Sequence, residues 1–282
     1  MQPTAPAGDP EWRWDPSLYA GSARYYAVGR APYPPEVVDS LVAALPFDGA
    51  GRLLDVGCGP GSLTLLLAPH VAEAIGIDAD PDMITEAARL AEAREVRNIR
   101  WRRLRAEDLP AGLPEMRLIT FAQSFHWMDR PLVAATARRM LQPGGAVVHV
   151  HATTHEGMDT DAELEHPQPP RDAIDQLLRR YLGTARRAGQ GVRPGGSGGD
   201  EAEIYRAAGF EGPERVEVSG LSLERTAEQV VAAVYSLSSS APHLFGDRWD
   251  SFDTELRRLL AEASPHGRFS QQMHSVAMDI WR

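Results

Sequence analysis

The chain contains no lysine; its 29 basic residues are all arginine. That absence excludes a pyridoxal Schiff base and the phosphate-binding lysine of a P-loop. Cysteine is nearly absent as well, with Cys58 alone in 282 residues. A single thiol forms no internal disulfide and suits a reducing cytoplasm. No run approaches the roughly 18 apolar residues of a membrane span. The N-terminus also lacks a basic-then-apolar signal pattern. Positive charge is short overall: 39 acids outnumber the arginines, for a net charge of −10. A nucleic-acid surface is therefore disfavoured. What remains is ordinary for a folded chain, 43% hydrophobic with a mean hydropathy of −0.32. The expectation is a bacterial, cytoplasmic protein of one large domain or one and a half, with a possible homo-oligomeric state and no membrane partner. The bacterial source is inferred from arginine replacing lysine, as GC-rich codons favour.

The most informative stretch is Leu53-Leu54-Asp55-Val56-Gly57-Cys58-Gly59-Pro60-Gly61-Ser62. A short apolar run ends in a carboxylate, three glycines follow, and an apolar helical pattern begins at Leu63. A second apolar run, 74–77, ends in Asp78. This is a strand, a tight turn, a helix and a strand, with an acid at the second strand's end. Glycine permits positive φ and lets a ligand touch the main chain, and the helix N-terminus adds free N–H groups. Asp78 can accept from both hydroxyls of a ribose. Dinucleotide folds use Gly-x-Gly-x-x-Gly; here Gly57, Gly59 and Gly61 are spaced one residue shorter. Asp55 also stands where a pyrophosphate would bring negative charge. An acid there suits a cationic ligand end, such as the amino group of a methionine moiety. S-adenosylmethionine is thus favoured over NAD, and the alternative is a glycine turn that only packs helix on sheet. Cys58 in this loop reads as a small residue that fits the turn rather than as a nucleophile.

Around this unit the chain divides into parts. Residues 1–36, rich in Pro, Gly, Trp and Tyr, form an N-terminal cap. Residues 37–152 and 200–282 form the main α/β domain, and 153–199 an inserted lid or substrate wall. Strands are expected at 53–56, 74–77, 100–104, 118–122 and 146–150, alternating with helices such as 37–45, 81–93 and 131–141. That alternation predicts a parallel sheet covered on both faces. Gly144-Gly145 is expected to end the helix 131–141. Past the fifth strand, 171–187 reads as a helix and 189–199 as a glycine-rich loop. Helices follow at 201–208, 227–237 and 249–263, with a strand over 210–219. A last strand over 270–281 is expected to run antiparallel at the sheet edge.

The chain resembles the class I S-adenosylmethionine-dependent methyltransferases over about residues 24–282. The resemblance is strongest at 53–61, Asp78 and Gln142-Pro143-Gly144-Gly145. Tyr25 through Pro34, with Arg30, Pro32, Tyr33 and Pro34, and the run Gln123-Ser124-Phe125-His126-Trp127 are similar to the trans-aconitate-methyltransferase-like subgroup, which acts on small molecules. Arg117 departs from the family's Asp at the start of strand four, and Ala31 from its Pro. The resemblance implies a Rossmann-like, doubly wound, seven-stranded sheet, mostly parallel with an antiparallel last strand. It implies methyl transfer to a small-molecule carboxylate, hydroxyl or carbon, plausibly in secondary metabolism. The alternatives are a relative that binds the cofactor without methylating and, more remotely, an NAD(P)-dependent oxidoreductase.

Carried onto this chain, Asp55, Gly57, Gly59 and Gly61 hold the methionine end and Arg30 its carboxylate. Asp78 holds the ribose, Met83 packs on the adenine, and Glu107 and Asp108 meet its edge; Gln123 joins this cofactor set. Each has a plainer reading: Met83 as core, Asp108 as a turn cap, Arg30 as a surface ion pair. A sulfonium is already a strong electrophile, so alignment supplies much of the rate. If the acceptor needs a base, His126 is the candidate; the other reading makes His126 and Trp127 wall residues. His151, at the end of strand five, is a candidate substrate contact. Among the aromatic cap residues Trp12, Trp14, Tyr19, Tyr25 and Tyr26, Tyr25 is the one assigned to the substrate. His149, His151 and His155 lack the spacing of a metal set, so no metal is expected.

Overall fold

The computed structural model describes residues 15–45, 47, 49–160, 163–184 and 201–282. Trp12, Trp14 and the glycine-rich loop at 189–199 lie outside the described residues.

The first βαβ unit runs from β1 (Arg52–Val56) through a short helix α3 (Thr64–Leu67) to β2 (Glu73–Asp78). Before it stand α1 (Ala23–Gly29) and α2 (Glu36–Ala44); after it come α4 (Pro81–Ala93) and β3 (Ile99–Arg103). Helix α4 starts where Asp80 accepts from the Asp82 N–H at 2.8 Å, with Pro81 in the first turn. Both features favour a helix start. Next are β4 (Met116–Ala122), α5 (Arg130–Met140) and β5 (Leu141–His151). The rest comprises α6 (Arg171–Leu182), α7 (Glu201–Ala207), β6 (Glu214–Val218), β7 (Ser222–Thr226), α8 (Ala227–Tyr235), α9 (Trp249–Ala263), β8 (Arg268–Gln272) and β9 (Val276–Trp281).

Seven strands form one sheet in the order β3-β2-β1-β4-β5-β9-β6. The first five are parallel, and β9 is antiparallel to both β5 and β6. Alternate side chains along each strand feed opposite faces. Leu54, Val56, Ile119, Phe121 and Trp281 pack under α5 and α7 on one face. Leu53, Leu118, Val148 and Ile280 pack under α2 and α3 on the other. The doubly wound expectation matches this architecture.

Several elements differ from expectation. The stretch 270–281 is two strands: β8 leaves to pair with β7 in a separate ribbon, and β9 alone joins the sheet. β9 lies inside the sheet and β6 is the edge. Gly144-Gly145 does not cap the preceding helix, which ends at Met140 with Leu141 already extended. Pro143 cannot continue a helix, and Gly144, at φ 75°, turns within the start of β5. The helix expected over 171–187 ends at Leu182, where Gly183 takes φ 80°. Its apolar residues Ile174 and Leu177 join a third core with α8, α9 and Phe269. The helical part of the expected insertion thus packs with 227–269 and with Tyr25 of the cap, whereas Thr154 lies at the cleft. No helix among the described residues is long and apolar enough to cross a membrane.

Helix α1 rests on α8 at Gly29, where a Cβ would lie 2.3 Å from the Ala232 carbonyl carbon and the Ala233 nitrogen. Backbone meets backbone there, and the Arg225 guanidinium donates to the Gly29 carbonyl at 2.6 Å. Gly29→Ala is expected to destabilise the protein by about 1–3 kcal/mol. Urea denaturation measures this; a midpoint equal to that of the wild type would show that α1 does not depend on this contact.

Candidate functional site

A two-lobed cleft opens at the C-terminal ends of β1, β2 and β4, the position where open α/β sheets bind ligands. One lobe holds about 710 Å³ of space open to solvent and the other about 380 Å³. Tyr26, Gly57, Gly59, Ala122 and Gln123 line both.

The glycine loop is fixed from below. Gly57, Gly59 and Gly61 take φ of 67°, 53° and 80°. The Gly59 N–H donates to Asp78 Oδ2 at 2.9 Å, and the Asp80 N–H donates to Asp78 Oδ1 at 2.9 Å. The three glycines have different reasons. A Cβ on Gly57 would lie 2.6 Å from Ser124 Cβ, and one on Gly59 would meet open space in the cleft. A Cβ on Gly61 would lie 2.5 Å from the Trp101 ring. Gly61 is therefore required for packing and does not line the cleft. Cys58 is buried, and burial pushes its thiol well up, so it is inert.

Asp55 is 1% exposed, and both oxygens are occupied: Thr64 Oγ1 donates at 2.5 Å and Thr120 Oγ1 at 2.7 Å. Burial raises its pKa and the two hydroxyls oppose that rise. It also lines the smaller lobe, but its side chain ties β1 to α3 and β4. Asp78 lines the larger lobe, and burial raises it to about 6. Met83, at 2% exposure, and Glu107 line the same lobe. Glu107 also accepts from the Asp129 N–H at 2.9 Å. Asp108 is corrected: it sits exposed on a short 3-10 turn (Ala106–Asp108) and does not line the cleft. Neighbouring residues on so tight a turn point in different directions, so only Glu107 turns inward.

Arg30 belongs to the smaller lobe with Asp55, Gly59 and Gln123. Its Nε donates to Ser236 Oγ at 2.8 Å and its Nη2 to the Ser236 carbonyl at 3.1 Å, with the guanidinium 4.5 Å over the Tyr26 ring. Gln123 adopts φ 56°, unusual for a side chain of its size, and donates to Tyr33 Oη at 3.1 Å.

Tyr25 is also corrected. It packs against Tyr235, ring centroids 5.0 Å apart, in the third core and away from the cleft. A helix turns about 100° per residue, so its neighbour Tyr26 faces the cleft instead. Tyr26 stands there beside Tyr19, which meets Trp127 edge-on at 5.8 Å. His126 lies beside Trp127 at 4.8 Å; burial, and next Arg130, lower its pKa to about 4. His126 is thus neutral at pH 7 and a weak base. His151 Nε2 lies 3.0 Å from Asp279 Oδ2. Among the described residues no group of three or more His, Cys, Asp or Glu could hold a metal. Thr64, Thr120, Ser124, Ser236 and Asp279 had no readable signal, because they meet the site only through folding; Asp279 is 128 residues from His151.

The chain matches known proteins over this region. Residues 53–145 match the family model described as a methyltransferase domain. An uncharacterized methyltransferase of Mycobacterium tuberculosis is 33% identical over 153 residues, 54% of this chain and 59% of that protein. A ubiquinone biosynthesis O-methyltransferase of Cereibacter sphaeroides is 38% identical over 109 residues, 38% of this chain and 43% of that protein. The chain therefore spans little more than half the length of the first of these relatives and less than half of the second. A putative type II methyltransferase from Anaeromyxobacter dehalogenans superposes with a TM-score of 0.53 at 21% identity, covering 89% of this chain and 95% of that one. The [4+2]-cyclase SpnF gives 0.54 at 19% identity, covering 95% and 94%. These two likenesses concern the fold alone. Loop, topology and family match together support a class I methyltransferase domain; none of them supports the trans-aconitate-like subgroup.

Thr120→Val leaves one Asp55 oxygen buried without a donor. The expected cost at pH 7 is about 1–3 kcal/mol, read as the shift of a urea unfolding curve. An unshifted curve would mean that Asp55 does not need the Thr120 hydroxyl.

Proposed function

We propose that the chain is an S-adenosylmethionine-dependent methyltransferase acting on a small-molecule acceptor. The observation that carries this reading is the pairing of Gly59 with Asp78 at 2.9 Å in a two-lobed cleft. The cofactor fits the residues present. Gly59 leaves open the space a Cβ would fill, so a ligand can approach the main chain. Asp78 would accept from the ribose hydroxyls, Met83 would pack on the adenine, and Glu107 would face its edge. Arg30 is pre-set by Ser236 and Tyr26 to hold a carboxylate. The buried Asp55 and Asp78 give the site a negative field that suits a cation. When bound, the cofactor supplies an electrophilic methyl group. The protein's part is to orient, exclude water and manage the acceptor's proton.

Tyr19, Tyr26 and Trp127 wall the larger lobe and would shape the acceptor's access. His126 lines neither lobe; neutral and 4.8 Å from Trp127, it acts in this reading by placing that ring. The nicotinamide alternative lacks the dinucleotide glycine spacing and any lysine for a proton relay.

Calorimetric titration tests the reading. S-adenosylhomocysteine should bind at pH 7.5, and NADH should bind more weakly or not at all; the reverse order would overturn the assignment. Asp78 titrates near 6, above its ordinary 3.8. It is a carboxylate at pH 7.5 and takes up a proton as pH falls through about 6, losing acceptor capacity. Affinity at pH 5 should therefore be about tenfold weaker. Asp78→Asn should weaken binding by about 10- to 100-fold at pH 7.5. Equal affinity in Asp78→Asn would remove Asp78 from the ribose role.

A further inference from the structure

A second pocket lies at the opposite end of the sheet from the cleft, where β1, β4 and β5 begin. It holds about 330 Å³ of space open to solvent, at the lower end of the range for small-molecule sites. Leu45, Phe47, Val71, Leu118 and Ala146 supply apolar walls. Among the described residues its polar side chains are Arg117 and His70, and no carboxylate lines it. His70 meets the Phe47 ring edge-on, with centroids 6.2 Å apart. In a chain of net charge −10, an apolar pocket whose one full charge is positive runs against the bulk sign. It shares no lining residue with either lobe of the cleft.

Arg117 is the residue that departs from the Asp expected at the start of strand four. Its guanidinium is poorly held. Nη1 lies 3.5 Å from the Pro143 carbonyl, the outer limit of a hydrogen bond, and Nε is buried with no hydrogen-bond partner. Arg117 forms no ion pair with the described residues. Glu73, at the start of β2, is taken by Arg52 at 3.1 Å and by Arg100 at 2.6 Å. A guanidinium N–H buried without an acceptor costs free energy, and an acceptor arriving from solvent removes that cost. The main chain makes room for this side chain. A Cβ on Gly51 would lie 2.6 Å from Arg117 Cβ and 2.7 Å from its Cγ, so glycine gives the stem its path. Gly144, at φ 75°, turns the chain beside the head group, where a Cβ would come to 3.8 Å from Nη1.

We propose that this pocket binds a small monocarboxylate with a flat apolar body, an arylalkanoate, through its carboxylate on Arg117. The site is separate from the methyl-transfer cleft and can be filled while the cleft is occupied. A guanidinium matches a carboxylate in charge and in fork geometry. One cation among apolar walls suits a single negative charge; a phosphate or a dicarboxylate would bring charge that the walls cannot solvate. The Phe47 and His70 rings suit an aryl group. The volume admits a single ring with a short chain and excludes a nucleotide.

Calorimetric titration with 3-phenylpropionate tests the site. Binding is expected with a Kd of about 0.1–1 mM. The neutral 3-phenylpropionamide keeps the shape without the charge and should bind about tenfold more weakly or worse. Acetate keeps the charge without the ring and should also bind about tenfold more weakly or worse. Arg117→Met should weaken 3-phenylpropionate binding by about tenfold or more. Arg117→Gln is the second variant, urea midpoints check that each folds, and the ligand series on the wild type stands without either. Arg30 in the cleft is the other cation to which a carboxylate could go, so Arg30→Met is the control; its affinity for 3-phenylpropionate should stay within about twofold of wild type. Absence of binding at about 10 mM, equal affinity for the amide, or undiminished binding by the folded Arg117 variants overturns the inference. A loss in Arg30→Met that Arg117→Met does not show overturns it as well, by placing the carboxylate in the cleft. Inorganic phosphate binding as tightly as 3-phenylpropionate would overturn the ligand class.

Discussion

The site depends on one hydrogen bond, from the Gly59 N–H to Asp78 Oδ2 at 2.9 Å. It joins the loop after β1 to the end of β2 and holds three successive positive-φ glycines in a single shape. The second oxygen of Asp78 accepts from Asp80, whose own side chain starts α4. Loop, strand end and helix start are therefore one hydrogen-bonded unit. Asp55 does the same work one layer deeper, with its two threonine donors. Burying two carboxylates close together is costly, and both are raised by burial. The protein offsets that cost with fixed donors, so the Asp78 carboxylate is held in one orientation before any ligand arrives. Such preorganisation is where a site of this kind gains affinity and orientation.

That unit is also the part most legible in the sequence. The run 53–61 and Asp78 are local in sequence, and each glycine reports a backbone demand. The strands and helices from 52 to 141 follow for the same reason, since short apolar runs alternate with amphipathic ones. Legibility failed where the deciding contact is remote. Nothing near Tyr25 says that it faces Tyr235 while Tyr26 faces the cleft; that depends on how α1 crosses α8. Asp108 and Glu107 are adjacent acids, and only the turn's direction separates the exposed one from the lining one. The stretch 270–281 alternates throughout, but Met273 and His274 interrupt it between a ribbon and a sheet. The pattern of alternation is identical for both.

The cap is coupled to the smaller lobe by a small set of contacts. Gly29 lets α1 touch α8, and Arg225, 3% exposed, donates to the Gly29 carbonyl. Two nitrogens of Arg225 are buried without a hydrogen-bond partner, and burial lowers its pKa. A buried cation at a helix C-terminus gains from the negative end of the dipole, which explains its tolerance there. The next residue is Arg30, itself bonded to Ser236 at the end of α8. The third core therefore sets where the Arg30 guanidinium points. Helix α8, remote from the glycine loop in sequence, is part of the geometry of the smaller lobe.

The strand ends of the sheet carry different titratable groups. Asp55 and Asp78 stand at the β1 and β2 ends, and the β5 end carries imidazoles, with His126 and His149 held neutral by burial. A sulfonium donor begins the reaction positive and ends it neutral, so its positive charge passes to the acceptor's departing proton. On the proposed reading, the carboxylate of Asp78 favours the charged donor over the spent one.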